Sequence, residues 1–233
     1  MDTAIIIDSL PALMKGTWVT LQITAISLLI GFFLALPLSA LRVSRNPFLS
    51  WPVYLFNFYF RGTPLLVQIF LIYYGSGQFQ EFLEQWGLWH FFKDAWFCAV
   101  LALTLNTTAY TGEIFRGGIQ GVNHGEIEAA RACGMSGVLL YRRIIMPAAL
   151  RIAWPAYTNE VVFLLQASSL VSVITLMDIT GVARVIAARS FAFYELFITA
   201  ALIYLVLVYG VIYVFRYIEK RLTLHMRRSS LSC

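Results

Sequence analysis

A chain of 233 residues that is 60% hydrophobic and 12% charged has too few charged side chains to cover a water-soluble fold of its size. Its formal net charge of +5 would suit a nucleic-acid partner only if the basic residues were clustered, so their placement is the first question. Cys98, Cys133 and Cys233 are isolated thiols, and His90, His124 and His225 form no ligand pair, which excludes a disulfide framework or a zinc ribbon.

In chain order, the charges divide the sequence into apolar spans. Between Lys15 and Arg42 lie 26 uncharged residues, more than the roughly 20 a helix needs to cross a hydrocarbon core. Asp2 and Asp8 precede this span where a cleavable signal would carry positive charge. A second span runs from about Trp51 to Gly75, interrupted by Arg61, with Pro64 expected to bend it. A third covers Ala95 to Gly112, a fourth Ile152 to Met177 with Glu160 inside it, and a fifth Leu196 to Phe215. The expected fold is therefore all-α and integral to the membrane, with five transmembrane helices in one domain over residues 1–233. Trp51, Trp86, Trp89 and Trp96 sit near span ends, where tryptophan forms an interfacial belt.

Orientation follows from the basic residues of the connecting segments. One side carries Arg42, Arg45, Arg116, Arg131, Arg142, Arg143, Arg151, Arg216, Lys220, Arg221, Arg227 and Arg228; the other carries Lys15, Lys93, Arg184 and Arg189. Twelve against four places the amino terminus outside and the carboxyl terminus in the cytoplasm. The basic balance thus records membrane orientation, and no nucleic-acid partner is expected.

The longest segment outside the spans, Glu113 to Arg151, joins the third and fourth helices on the cytoplasmic side. Asn123 can cap a helix with Glu126 three residues later, and Gly134 is placed to end it, which predicts a helix over 123–134. Ala129, Ala130 and Ala132 make its surface small-sided. By these residues alone, such a helix either lies on its own bundle or presents a face to another protein. A second short helix is expected from Ser136 to Ile145, before Pro147.

Polar residues inside the spans are costly and point to function. Glu160 lies nine residues beyond Arg151, about 13 Å into the membrane, close to the midplane. A carboxylate there needs water, a cation or a hydrogen-bond partner. It is read as a substrate site, an interhelical hydrogen bond or a structural ion pair. Asn159 supplies donors and an acceptor at the same depth, with Gln166 seven residues on. Asn106, beside Thr104, Thr107 and Thr108, also falls near the midplane; these side chains either line a route or bond within the bundle. Arg61 with Pro64 is expected to shape the second helix, and Gln68 to approach the pathway. No catalytic constellation and no phosphate-binding Gly-Lys-Ser or Gly-Lys-Thr occurs, so no enzyme activity is expected in this chain.

The run Glu128-Ala129-Ala130, then Gly134, Ile144, Met146 and Pro147 resembles the cytoplasmic loop that permeases of bacterial ATP-binding-cassette importers dock into their ATPase. The stretches Phe60 to Gln68 and Ala109 to Ile119 are similar to those of the polar amino acid permeases, which handle histidine, arginine, ornithine, glutamine and opines. The similarity covers roughly residues 16–217. The resemblance implies a binding-protein-dependent permease subunit of the inner membrane, carrying polar, notably basic, amino acids or opines. It also implies two copies of an ATPase subunit that bind ATP and magnesium, a second identical or similar permease, and a periplasmic binding protein; no cofactor is expected in this chain itself. Glu128, Ala129, Ala130 and Gly134 would meet the ATPase, and Glu160, Asn159, Asn106 and Gln166 the substrate. Relatives often carry lysine where Gln166 stands, so its presence points to a cationic cargo. The competing class is half of a secondary transporter or channel that uses Glu160 as a proton or ion site.

Overall fold

The computed structural model describes residues 3–44 and 46–229, with side chains described for 4–44 and 46–221. Asp2, Arg45 and Cys233, and the side chains of His225, Arg227 and Arg228, lie outside that description. All regular structure among the described residues is helical. Helix α1 spans Thr3–Val43, α2 Pro47–Gly62 and α3 Leu65–Ser76. The short helices α4 (Gln80–Gln85) and α5 (Trp89–Phe92) lead to α6, Ala95–Gln120. Then come α7 (His124–Ala132), α8 (Gly137–Leu140), α9 (Met146–Ala167), α10 (Ile179–Ser190) and α11 (Phe193–Ser229).

Length and apolarity alone mark three candidate crossings, Ala4–Val43, Gly137–Ile174 and Phe193–Arg221. The second expected span differs from a single helix. It is a pair, Pro47–Gly62 and Leu65–Gln85, bent by 102° at the break, and adds a fourth candidate if it crosses as one unit. The cause is local. Thr63 is extended (φ −115°, ψ 146°), the conformation favoured before proline, and Pro64 has no N–H for the Phe60 carbonyl.

Helix α6 is too polar to qualify by composition, yet it is the centre of the molecule. It packs against α1, α2, α3 and α9, and Thr104, Asn106, Thr107, Thr108 and Thr111 are all buried in it. Asn106 and Thr107 bond groups on neighbouring helices and Thr108 bonds the Thr104 carbonyl of its own helix, partners that lipid around α6 would not supply. The opposite case is α11. Only 11% of its most apolar window is buried, and Leu202, Leu205, Val206, Tyr209 and Tyr213 are exposed. Its apolarity therefore serves the surroundings more than the core.

The core runs along α6. Ile23, Ile69, Ala99, Leu103, Leu164 and Val171 form one cluster, and Ala35, Phe115, Ala153, Tyr157 and Val161 another, with Phe32 set edge-on to Phe115 at 5.4 Å. Small residues allow the close approach. A Cβ on Gly31 would lie 2.5 Å from Thr107 Cγ2, and one on Gly118 would lie 2.5 Å from the Ala149 carbonyl oxygen. Helix contacts in membranes depend on such packing, since lipid is as apolar as the side chains it replaces.

Two further differences from the sequence reading concern helix ends. The helix expected to stop before Pro147 runs on into α9. A π turn over Tyr141–Ile145 carries the bond from Met146 N–H to the Tyr141 carbonyl, and Pro147 enters in the first turn of α9, where its missing N–H is tolerated. The segment after Met177, read as an outer connection, contains α10. Asp178 caps it by accepting from Thr180 N (3.2 Å) and Gly181 N (2.8 Å).

Candidate functional site: a cavity beside the broken helix

The break between α2 and α3 leaves backbone carbonyls without helical partners, and one glutamine closes them. Gln68 Nε2 donates to the Phe60 carbonyl (2.8 Å), the Thr63 carbonyl (3.0 Å) and Thr63 Oγ1 (2.8 Å). Asn106 Nδ2 of α6 donates to Gln68 Oε1 (3.0 Å) and to the Phe60 carbonyl (3.3 Å). Buried carbonyls in a low-dielectric interior require such partners. Gln68 and Asn106 thus clasp the break to the central helix, and Asn106, expected at the pathway, is engaged in building its wall.

Beside this clasp lies a cavity of about 670 Å³, within the usual range for small-molecule sites. The α2–α3 break supplies Arg61 to Leu65, α6 supplies Asn106, Tyr110 and Ile114, and α9 supplies Asn159, Glu160 and Phe163. Glu160 is 8% exposed and accepts a hydrogen bond from Thr107 Oγ1 at 3.0 Å. The remaining carboxylate oxygen has no described hydrogen bond within the protein, which leaves it able to accept one. Asn159 is exposed on the same wall.

Of the four residues expected at the substrate, the structure gathers Glu160, Asn159 and Asn106 around one cavity and puts Gln166 elsewhere. Gln166 lines a separate cleft with Thr180, Phe197 and Tyr204. At 100° per residue it lies ~20° beyond Asn159 and about 10 Å further along the axis, past the arc that the cavity uses. It therefore faces α10 and α11. Sequence reasoning also missed Arg61 and Tyr110 in the lining. Arg61 was expected only to shape its helix, and a long side chain's direction is not written in its depth.

Arg61 belongs to a polar cluster at one end of the cavity. Glu113 of α6 accepts from Asn57 Nδ2 (2.8 Å) and Arg116 Nε (2.6 Å), and lies 3.8 Å from both Arg42 Nε and Arg61 Nη1. The Arg61 guanidinium rests over the Tyr110 ring, 5.3 Å from its centroid. One carboxylate thus gathers α1, α2 and α6.

At the far end of α6, α7 forms as expected. Asn123 Oδ1 caps it through Gly125 N at 2.9 Å. Gly134, at φ +82°, closes it, with Gly134 N–H to the Arg131 carbonyl and Met135 N–H to the Ala130 carbonyl, the paired bonds of a glycine-terminated helix. Its two faces differ. Ala130 is buried and Ile127 packs with Ile119, Val122 and Ala149, so one side lies on the bundle. Glu128, Ala129 and Gly134 are exposed, and Val138 (82% exposed) with Leu139 extends the free surface in apolar side chains that composition did not single out.

Residues 27–224 match the family described as binding-protein-dependent transport system inner membrane component. The chain is 48% identical over 227 residues to the nopaline transport system permease protein of Agrobacterium fabrum, covering 97% of this chain and 94% of that one. It is 46% identical over 220 residues to the histidine/lysine/arginine/ornithine transport system permease protein of Escherichia coli K12, covering 92% and 90%. Among solved structures it is similar to a chain of an amino acid ABC transporter crystallised with histidines, with a TM-score of 0.82, 32% identity, and 95% and 99% coverage.

Proposed function

Because the chain belongs to the binding-protein-dependent transport system inner membrane components, we propose that its cavity carries a cationic amino acid or opine past Glu160. The chain is a permease subunit of an ATP-binding-cassette importer for amino acids or opines, and a component of the inner membrane.

The observation that carries the cargo reading is Glu160: a buried carboxylate in the wall of a cavity large enough for an amino acid, with a single described hydrogen bond, from Thr107. In a low-dielectric wall an ammonium or guanidinium is the partner that offsets its desolvation, and a guanidinium can engage both oxygens. Asn159 offers amide groups to the cargo's polar end, while Phe163 supplies an apolar flank. The clasp of Gln68 and Asn106 holds the opposite wall in register.

Five crossings follow if the bent pair spans once and α6 crosses at the centre, with the amino terminus outside and the carboxyl terminus in the cytoplasm. The whole of residues 1–233 is one permease domain, with its core over 16–217. On that topology the exposed Glu128, Ala129 and Gly134, with Val138 and Leu139, face an ATPase subunit, and residues 123–134 transmit its closure to α6 and α9 through Ile127 and Ala130. Ala130 acts from the bundle side, a correction to its expected role as a surface contact. Two such ATPases bind ATP and magnesium; this chain contributes only the docking surface. A second permease, identical or similar, completes the route, and a periplasmic binding protein delivers the cargo.

Glu160→Gln in the reconstituted complex should lower arginine and ornithine uptake at least tenfold while the complex still assembles. Unchanged uptake would remove Glu160 from the cargo site.

A further inference from the structure

Glu160 and Arg61 line the same cavity, and an arginine so placed should be a rival for the carboxylate that the cargo needs. The guanidinium nevertheless sits with Glu113, 3.8 Å from its Oε2, over the Tyr110 ring. Along α6, Thr107 holds Glu160, Tyr110 follows one step of three residues later, and Glu113 one more. Six residues of α6, a rise of about 9 Å, therefore separate the threonine that holds Glu160 from Glu113, with Tyr110 midway.

The three arginines around Glu113 are not equally tied. Arg116 is also bonded to Gln120 Oε1 at 2.8 Å, and Arg42 to Ser50 Oγ at 3.0 Å with the Tyr54 ring beneath it. Among the described residues, the Arg61 guanidinium has the Tyr110 ring and the Glu113 carboxylate, and it alone of the three borders the cavity. If Glu113 lost its charge, Arg61 is the member of the cluster free to turn, and Glu160 is the carboxylate in the lining of the cavity it borders.

We propose that Glu113 is a positioning residue for transport specificity: it holds Arg61 away from Glu160, so that a cationic cargo finds Glu160 unpaired. The inference rests on Glu160 being the cargo site. Glu113 acts without touching cargo, through the side chain that would otherwise take the cargo's place.

The test is equilibrium binding of radiolabelled arginine to the purified complex of this chain with its permease and ATPase partners, with the binding protein omitted. Glu113→Gln should weaken arginine binding about tenfold. Adding Arg61→Gln to that variant should restore binding to within about twofold of the original, because the rival is gone. General damage from loss of the Arg42, Arg116 and Asn57 contacts would not be repaired by removing Arg61. Arg61→Gln alone should tighten arginine binding about threefold, and this variant decides the matter if Glu113→Gln fails to assemble. Unchanged binding in Glu113→Gln, a double variant that stays weak, or weaker binding in Arg61→Gln would each overturn the proposal. If Glu160→Gln binds arginine normally, the cargo-site reading falls and this inference with it; if Glu160→Gln loses binding while Glu113→Gln keeps it, only this inference falls.

Discussion

Replacing Gln68 with leucine removes the polar clasp at the break while keeping a side chain of similar size. Gln68 is 2% exposed, and its two amide hydrogens are shared among the Phe60 carbonyl, the Thr63 carbonyl and Thr63 Oγ1, while its carbonyl accepts from Asn106. Phe60 keeps the longer bond from Asn106 at 3.3 Å and Thr63 Oγ1 keeps its bond to the Tyr59 carbonyl, but the Thr63 carbonyl and one Asn106 hydrogen lose their partners. Each buried polar group left unpaired costs about 1–3 kcal/mol, so two give ~3 kcal/mol after the added apolar burial offsets part of the loss. For a domain of this size that is a fall of about 6–12 °C in Tm. Because the same residues set the cavity wall, arginine affinity should fall with it, by about tenfold. Thermal unfolding of the detergent-solubilised complex, with and without arginine, measures both. A Tm within about 2 °C of the parent and unchanged arginine stabilisation would refute the reasoning that Gln68 satisfies the break.

Gly118→Val should abolish assembly of the complex, because its Cβ would lie 2.5 Å from the Ala149 backbone oxygen, whereas Gly112→Ala, with nothing within 4 Å of the added Cβ, should be neutral or slightly stabilising; the yield of monodisperse protein separates them. Glu128→Ala and Gly134→Val should leave the permease folded but reduce uptake per ATP hydrolysed, Gly134→Val also costing about 1–2 kcal/mol because φ is +82° there, and a parallel measurement of uptake and phosphate release checks both. If these variants couple uptake to hydrolysis as the parent does, Glu128 and Gly134 are not part of the ATPase contact. A periplasmically active reporter enzyme fused after Arg221 should be inactive and one fused before Thr3 active; the reverse pattern would overturn the proposed orientation.

Some of this site could be read without coordinates because it depends on quantities that run along a helix. The rise per residue puts Glu160 about 13 Å beyond Arg151 whatever its neighbours do. Asn123 and Gly134 delimit α7 through local backbone chemistry: Asn123 is the observed N-cap, and Gly134, at φ +82°, follows the C-cap Cys133. Pro64 announced a bend, though not one of 102°. The centre of the bundle was not legible: Asn106 with Thr104, Thr107 and Thr108 suited either a route or bonds within the bundle, and only the packing of α1, α2, α3 and α9 around α6 shows it to be the central helix.

What the sequence by itself determined is an apolar, all-helical chain of the inner membrane and the spacing of its polar residues along each helix. Tertiary structure decided which way those residues face and what they meet. It turned Gln166 into a cleft with α10 and α11, Ala130 onto the bundle, Asn106 onto the Phe60 carbonyl, and Arg61 onto Glu113 at the edge of the cavity that Glu160 lines. The physical reason is that composition and rise act along one axis, whereas azimuth and partnership arise only when α6 is enclosed by α1, α2, α3 and α9 and side chains such as Asn106 and Thr107 meet partners on other helices.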